Sequence, residues 1–139
     1  MPNLWKSEMM QNIILFCGSR GLERSSQIMD VITEELGELN SESTIIIHGG
    51  ASGIDTLVDE IATYMKFKII IYKPKYQIYG KKAPLIRNQE MVDIANKVIA
   101  IWNGRSHGTL YTINQAKKAG KQIKIYLFKD SKISLIEVS

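Results

Sequence analysis

The sequence predicts one α/β domain, a three-layer sandwich in which helices cover both faces of a mainly parallel five-stranded sheet. Two observations carry this. Short β-branched apolar runs alternate along the chain with longer amphipathic stretches, the pattern of strand–helix–strand units joined by right-handed crossovers. The length of 139 residues suits one domain, and 45% hydrophobic with 23% charged residues is near the globular average.

The elements follow in order. Residues 12–17 (NIILFC) are nearly continuous in apolar character, as a strand buried on both faces must be. Residues 25–39 carry Ile28, Val31, Ile32, Glu35 and Leu36 at helical spacing, with acids opposite. The second strand is predicted at 44–48 (TIIIH), followed by a helix over 56–65 with Leu57, Val58, Ile61, Ala62 and Met65 on one face. The third strand is 68–72 (KIIIY). Residues 87–95 read as helix, 97–102 (KVIAIW) as the fourth strand and 109–119 as the last helix, which Gly120 stops. The fifth strand is 122–128 (QIKIYLF). Residues 1–11 are expected to form an arm or short helix whose Trp5, Met9 and Met10 pack on the body or on another subunit. Residues 129–139 are expected to be a tail or a final edge strand, because 131–138 alternates apolar and polar side chains. The span 1–139 is read as a single domain.

Composition excludes a disordered chain, a collagen-like repeat and a simple coiled coil. The lone Cys17 cannot close an internal disulfide, and two histidines are too few for a metal cluster, so no metal and no cofactor is expected. No run approaches the length needed to cross a bilayer, and the first residues lack the apolar core of a signal peptide. A cytoplasmic protein without membrane partners is expected. The net charge is +4, unevenly spread. Acids crowd 23–42, while 73–87 holds Lys73, Lys75, Lys81, Lys82 and Arg87 without an acid, and six more lysines follow in the last quarter. This reads either as solvated faces or as a basic rim that concentrates an anionic ligand.

Three predicted strands end in loops of small residues. They are Gly18-Ser19-Arg20-Gly21, then Gly49-Gly50-Ala51-Ser52-Gly53-Ile54-Asp55, then Asn103-Gly104-Arg105-Ser106-His107-Gly108-Thr109. Glycine admits sharp turns and close approach to a ligand. The helix after such a loop offers free N–H groups and a positive dipole end to an anion. Ser19, Ser52, Ser106 and Thr109 add hydroxyls, and Ser52-x-x-Asp55 reads as a variant capping box. In a doubly wound sheet the first and fourth strands are neighbours, and ligands sit outside the strand ends where the chain reverses direction. The first and third glycine loops then face one another across a crevice. Arg20 and Arg87 are the expected phosphate partners, since a guanidinium fork matches phosphate oxygens in pairs.

Several known patterns are missing. There is no G-x-G-x-x-G after the first strand, no acid at the end of the second, no G-x-x-x-x-G-K-[ST] and no G-x-S-x-G. His48, at a strand end, is expected to be a hydrogen-bonded structural residue, His107 to meet ligand or solvent, and Cys17 to be core.

The ordered strings Gly18-Ser19-Arg20, His48-Gly49-Gly50-Ala51-x-Gly53-x-Asp55, Gly80-Lys81-Lys82-Ala83-Pro84-x-Ile86-Arg87-Asn88-x-x-Met91 and Trp102-Asn103-Gly104-x-Ser106-x-Gly108-Thr109-x-x-Thr112-Ile113 closely resemble the YspA-type (YpsA-related) branch of the SLOG superfamily. That superfamily gathers the Smf/DprA and LOG proteins, and the resemblance covers 12–128. It implies a Rossmann-like fold with strand order 3-2-1-4-5. It also implies a nucleotide or nucleotide-derived ligand in the glycine loops, at Gly18, Ser19, Arg20, Gly49, Gly50, Ser52, Gly53, Asp55, Arg87, Asn88, Gly104, Ser106, His107, Gly108 and Thr109. The LOG relatives cleave nucleoside monophosphates with the motifs R-K-x-x-M and P-G-G-x-G-T-x-x-E. Here Arg87-Asn88-x-x-Met91 fits the first, but Thr112 stands where the second has its acid, and Asn96 stands where many relatives carry Asp. Glycosidic cleavage wants a carboxylate near the sugar. Asp55 and Glu90 are the remaining catalytic candidates.

Three functions are therefore carried forward. The leading one is a nucleotide sensor or carrier that works as a homodimer or tetramer. The others are a nucleotide-processing enzyme such as a LOG-like phosphoribohydrolase, and a DprA-like nucleic-acid binder using the 73–87 segment with Tyr76 and Tyr79 as stacking platforms.

Overall fold

A computed structural model describes residues 12–22 and 24–139. The expected N-terminal arm, with Trp5, Met9 and Met10, lies outside the described residues. The chain runs β1 (Asn12–Gly18), α1 (Ser26–Gly37), β2 (Thr44–His48), α2 (Ile54–Tyr64), β3 (Lys68–Ile71), α3 (Tyr76–Tyr79), a 3₁₀ turn (Gly80–Lys82), α4 (Ala83–Ile94), β4 (Lys97–Trp102), α5 (His107–Lys118), β5 (Gln122–Lys129) and β6 (Lys132–Val138).

These strands form one sheet in the order β3-β2-β1-β4-β5-β6, parallel except for β6. The sheet has six strands, one more than the five expected in the core, because 129–139 takes the edge-strand alternative and not the tail. The strand β6 closes a hairpin on β5 through a two-residue turn, Asp130 and Ser131, both at positive φ (52° and 61°). Matching twist to the flanking strands requires such left-handed residues. The turn lacks the glycine that marks this geometry in a sequence. From α1, the Gln27 amide donates to Ser131 O at 2.8 Å and its oxygen accepts from Ile133 N at 2.9 Å, fixing the hairpin to the sheet.

Alternation along β1 sorts the core into two halves. Ile14 and Phe16 face α1 and α2, against Ile28, Ile32, Leu57 and Val58. Leu15 and Cys17 face α4 and α5, against Met91, Val92, Ile113 and Ala116. All the strand residues from Ile14 to Cys17 are buried, which is why this run shows no two-residue period in sequence. The connections through α1 and α2 lie on one face and those through α4 and α5 on the other. The chain therefore changes face on leaving β3, and the neighbours β1 and β4 flank the switch point.

Helix starts differ from the sequence expectation for local reasons. Helix α4 begins at Ala83, four residues before 87, because Pro84 sits in its first turn, where a missing N–H costs nothing. Helix α2 begins at Ile54 behind Gly53, which makes no side-chain cap, so the predicted Ser52–Asp55 capping box does not form. The charge clusters also resolve. Lys124 of β5 donates to both carboxylate oxygens of buried Glu35, at 2.6 and 3.0 Å, and this bond foremost raises the lysine's pKa. Lys117 pairs with Glu137 at 2.9 Å. These two lysines neutralise acids instead of forming a basic rim.

Candidate functional site

The carboxyl ends of β1, β2 and β4 surround a crevice of about 430 Å³ at the switch point. Its walls come from the loop after β1, the loop after β2, the inner side of α4 and the start of α5. Of the residues predicted from sequence, Gly18, Ser19, Arg20, Gly49, Asp55, Arg87, Asn88, Ser106, Gly108 and Thr109 line it. Gly50 and Ser52 line an adjoining hollow. Glu90, Gly53, Gly104 and His107 are in the walls of neither, and His107 is exposed.

Close approach explains two glycines. A Cβ on Gly18 would collide with the Ile54 side chain and lie 2.6 Å from Ile101 O. Gly53, at φ +81°, would put a Cβ 2.5 Å from Arg20 O and 2.6 Å from Ser19 O. Gly53 thus seats the second loop on the backbone of the first and touches no ligand wall.

The loops are tied together by their own polar groups. Ser19 N donates to Ile101 O at 3.1 Å, and buried Ser19 Oγ accepts from Asn103 N at 3.0 Å, joining the first loop to the third. Asn103 Oδ1 accepts from Arg105 N and Ser106 N, and the Ser106 hydroxyl caps α5 by accepting from Thr109 N. Past this cap, the first-turn N–H of Gly108 has no helical acceptor and sits in the crevice wall.

In the second loop Asp55 turns back, and its Oδ2 accepts from Gly49 N and Ala51 N, each at 3.1 Å. Gly50 N donates to His48 Nδ1 at 3.0 Å. Three amides that the glycine pattern offers to a phosphate are therefore already bonded within the protein. His48 is 2% exposed, and its Nε2 meets Asp59 Oδ2 at 2.7 Å, so it is the hydrogen-bonded structural residue expected. The Asp55 carboxyl is raised above its ordinary range, chiefly by burial, while the Ala51 and Gly49 amides and the nearby His48 and Arg87 oppose the rise. Burial, with the Asp55 charge second, also pushes the Cys17 thiol far up, which makes it an inert core residue.

Arg87 reaches back across the crevice from α4. Its Nη1 donates to Gly49 O (2.5 Å) and Tyr72 O (2.9 Å), and its Nε to Asn88 Oδ1 (2.7 Å). Among the described residues Nη2 takes no acceptor, so one edge of the fork stays available. Burial holds this guanidinium below its ordinary range, the Asp55 charge opposes that, and the Arg20 charge adds to it. Thr112 also lines the crevice, with its hydroxyl donating to Gly108 O at 3.1 Å. Sequence reasoning missed Asn103 and Asp59 as organisers, since both act through partners that only the fold brings near. Among the described residues no group of three or more His, Cys, Asp or Glu could hold a metal ion.

No family model matches the chain. Over 113 residues the chain is 33% identical to the Gene 61 protein of Mycobacterium phage D29, an alignment covering 77% of this chain and 90% of that protein. The chain belongs to the Gene 61 protein family. Its fold recurs in solved structures of low identity. DNA processing protein A (DprA) from Helicobacter pylori, described there by its single-stranded DNA binding mode, matches with a TM-score of 0.68 at 19% identity, over 86% of this chain and 67% of that one. DprA from Streptococcus pneumoniae matches at 0.68 and 21% identity over 83% of this chain, which spans half of the longer protein. TM1055, a structural-genomics target, matches at 0.64 and 18% identity, over 81% and 72%. At these identities the likeness establishes a shared Rossmann-like fold. No described helix is long and apolar enough to cross a membrane.

Proposed function

We propose that this protein binds a nucleotide or nucleotide derivative in the switch-point crevice, as a cytoplasmic sensor or carrier of the YspA-type SLOG branch. The carrying observation is that Arg20, Arg87 and the first-turn residue Gly108 line one hollow of ligand size, with Arg87 Nη2 unbonded among the described residues. The anion is held by these groups and by the Ser106 and Thr109 hydroxyls, while buried Ser19 holds the first loop to the third. The second glycine loop contributes shape and the Asp55 carboxylate, whose Oδ1 is left to accept a ribose hydroxyl.

Turnover is not part of this reading. Thr112 carries no charge near neutral pH, so it neither stabilises a developing cation nor serves as a base. Isothermal titration with mono-, di- and cyclic nucleotides tests binding, and the wild type is expected to bind at least one of them. Chromatography of AMP, GMP, CMP and UMP incubated with the protein tests turnover. Free base released at about one per second or faster would promote Asp55 to a catalytic role.

Nucleic-acid binding is the second reading, favoured by the exposure of Tyr76 and Tyr79 on a lysine-rich segment. Single-stranded DNA that binds with micromolar or tighter affinity and displaces no nucleotide would support it.

A further inference from the structure

A second hollow of about 200 Å³ opens beside the crevice, and Arg20, Gly49, Ala51 and Arg87 stand in the walls of both. These shared residues stand where the two hollows adjoin, and we call this boundary the neck. The larger volume lies in the range that takes a whole small ligand, and the smaller falls below it. The smaller hollow is thus an extension that receives a fragment of the same molecule.

The neck is cationic. Among the described residues Arg20 makes no salt bridge, and the three bonds of Arg87 run to neutral oxygens. The two guanidiniums are close enough for Arg20 to disfavour the charge on Arg87, after burial and against the pull of Asp55. A multiply charged anion relieves that repulsion. Beyond the neck the walls change character. Ser52 offers a hydroxyl, Pro74 and Tyr76 offer apolar faces, and Tyr76 is 55% exposed. Among the described residues the extension is lined by no cation other than the two at the neck. This suits a neutral group with hydroxyls on its edges and an apolar face.

We infer that the ligand is a nucleoside diphosphate bearing a sugar on its outer phosphate. The nucleoside lies in the larger crevice, the diphosphate crosses the neck between Arg20 and Arg87, and the sugar rests against Tyr76 and Ser52. The inference rests on the nucleotide reading above and names its ligand class.

Calorimetric titration with three matched series tests it: AMP, ADP and ADP-ribose; UMP, UDP and UDP-glucose; GMP, GDP and GDP-mannose. In the series whose base is accepted, the sugar nucleotide is expected to bind about tenfold tighter than the diphosphate, a gain of about 1.4 kcal/mol. Tyr76→Ala, an exposed change in a short helix, is expected to bring that ratio toward one, with circular dichroism checking the fold. A sugar nucleotide no tighter than its diphosphate overturns the inference and leaves the nucleotide reading standing. A gain that survives both Tyr76→Ala and Ser52→Ala also overturns it, since the sugar then sits elsewhere. Failure of all nine compounds to bind overturns the nucleotide reading and this inference together.

Discussion

Asp55 shows how one side chain holds two jobs apart. Oδ2 pins the Gly49 and Ala51 amides, and the carboxyl lies in the crevice wall. Asp55→Ala leaves two N–H groups unpaired and is expected to cost about 1–3 kcal/mol or more in urea unfolding. Asp55→Asn keeps an acceptor oxygen for both and is expected to cost far less. The pH dependence separates charge from geometry. Burial raises the folded pKa above the unfolded value of about 3.9. The stability Asp55 contributes is therefore fully present below the unfolded value and is lost as pH rises through the folded one. The wild type is expected to lose stability relative to Asp55→Asn as pH rises above the unfolded value, and a difference that does not change with rising pH would refute the buried-charge account. Arg20 makes the complementary case, because it is exposed and, among the described residues, makes no salt bridge. Arg20→Ala is expected to leave stability nearly unchanged while weakening nucleotide binding by about 1.5–3 kcal/mol, the worth of a charge-assisted bond, read by calorimetry.

At the scale of elements, the β5–β6 hairpin closes the sheet at one edge with a turn of two non-glycine left-handed residues. The left-handed conformation costs roughly 1–2 kcal/mol for an L-residue with a Cβ. Ser131→Gly supplies the Asp-Gly pair that favours this turn, and the Gln27 bond survives because it goes to the backbone oxygen. The variant is expected to gain roughly 0.5–1 kcal/mol in urea unfolding. A loss would mean that the Ser131 side chain stabilises the turn in some other way. The opposite edge, β3, is short and exposes Ile70 and Ile71. Its ladder gains one more bond, Tyr72 N to His48 O at 2.9 Å, before Pro74.

For the whole molecule, sheet edges that end in exposed Ile70 and Ile71 on one side and Leu135, Ile136 and Val138 on the other leave apolar surface for a partner. Self-association is proposed on that ground, with a closed dimer or a dimer of dimers as the expected state. Light scattering at micromolar concentration checks it, and a monomer there would sink the proposal. Ligand binding at the switch point is expected to add to stability by mass action, about 2.7 kcal/mol at a hundredfold excess over Kd. The crevice joins both halves of the sheet, so this gain is expected to appear as a single shifted unfolding transition.

By itself the sequence determined the parallel core, the chain reversal between β1 and β4 and the three strand-end loops. Buried parallel strands must be apolar on both faces, and tight turns must be glycine-rich, and both constraints are local. The sequence also placed ten predicted residues in the walls of the crevice. Tertiary structure alone decided which groups remain free there. The Gly49, Gly50 and Ala51 amides are taken by Asp55 and His48, and Arg87 bonds Gly49 O from 38 positions away. The sixth strand was legible as an alternating edge segment, but its turn and anchoring were not, since the turn has no glycine and the hairpin is held by Gln27, 104 residues before Ser131. Hydrogen-bond partners are chosen by proximity in the folded chain, and no periodicity in the sequence encodes that choice.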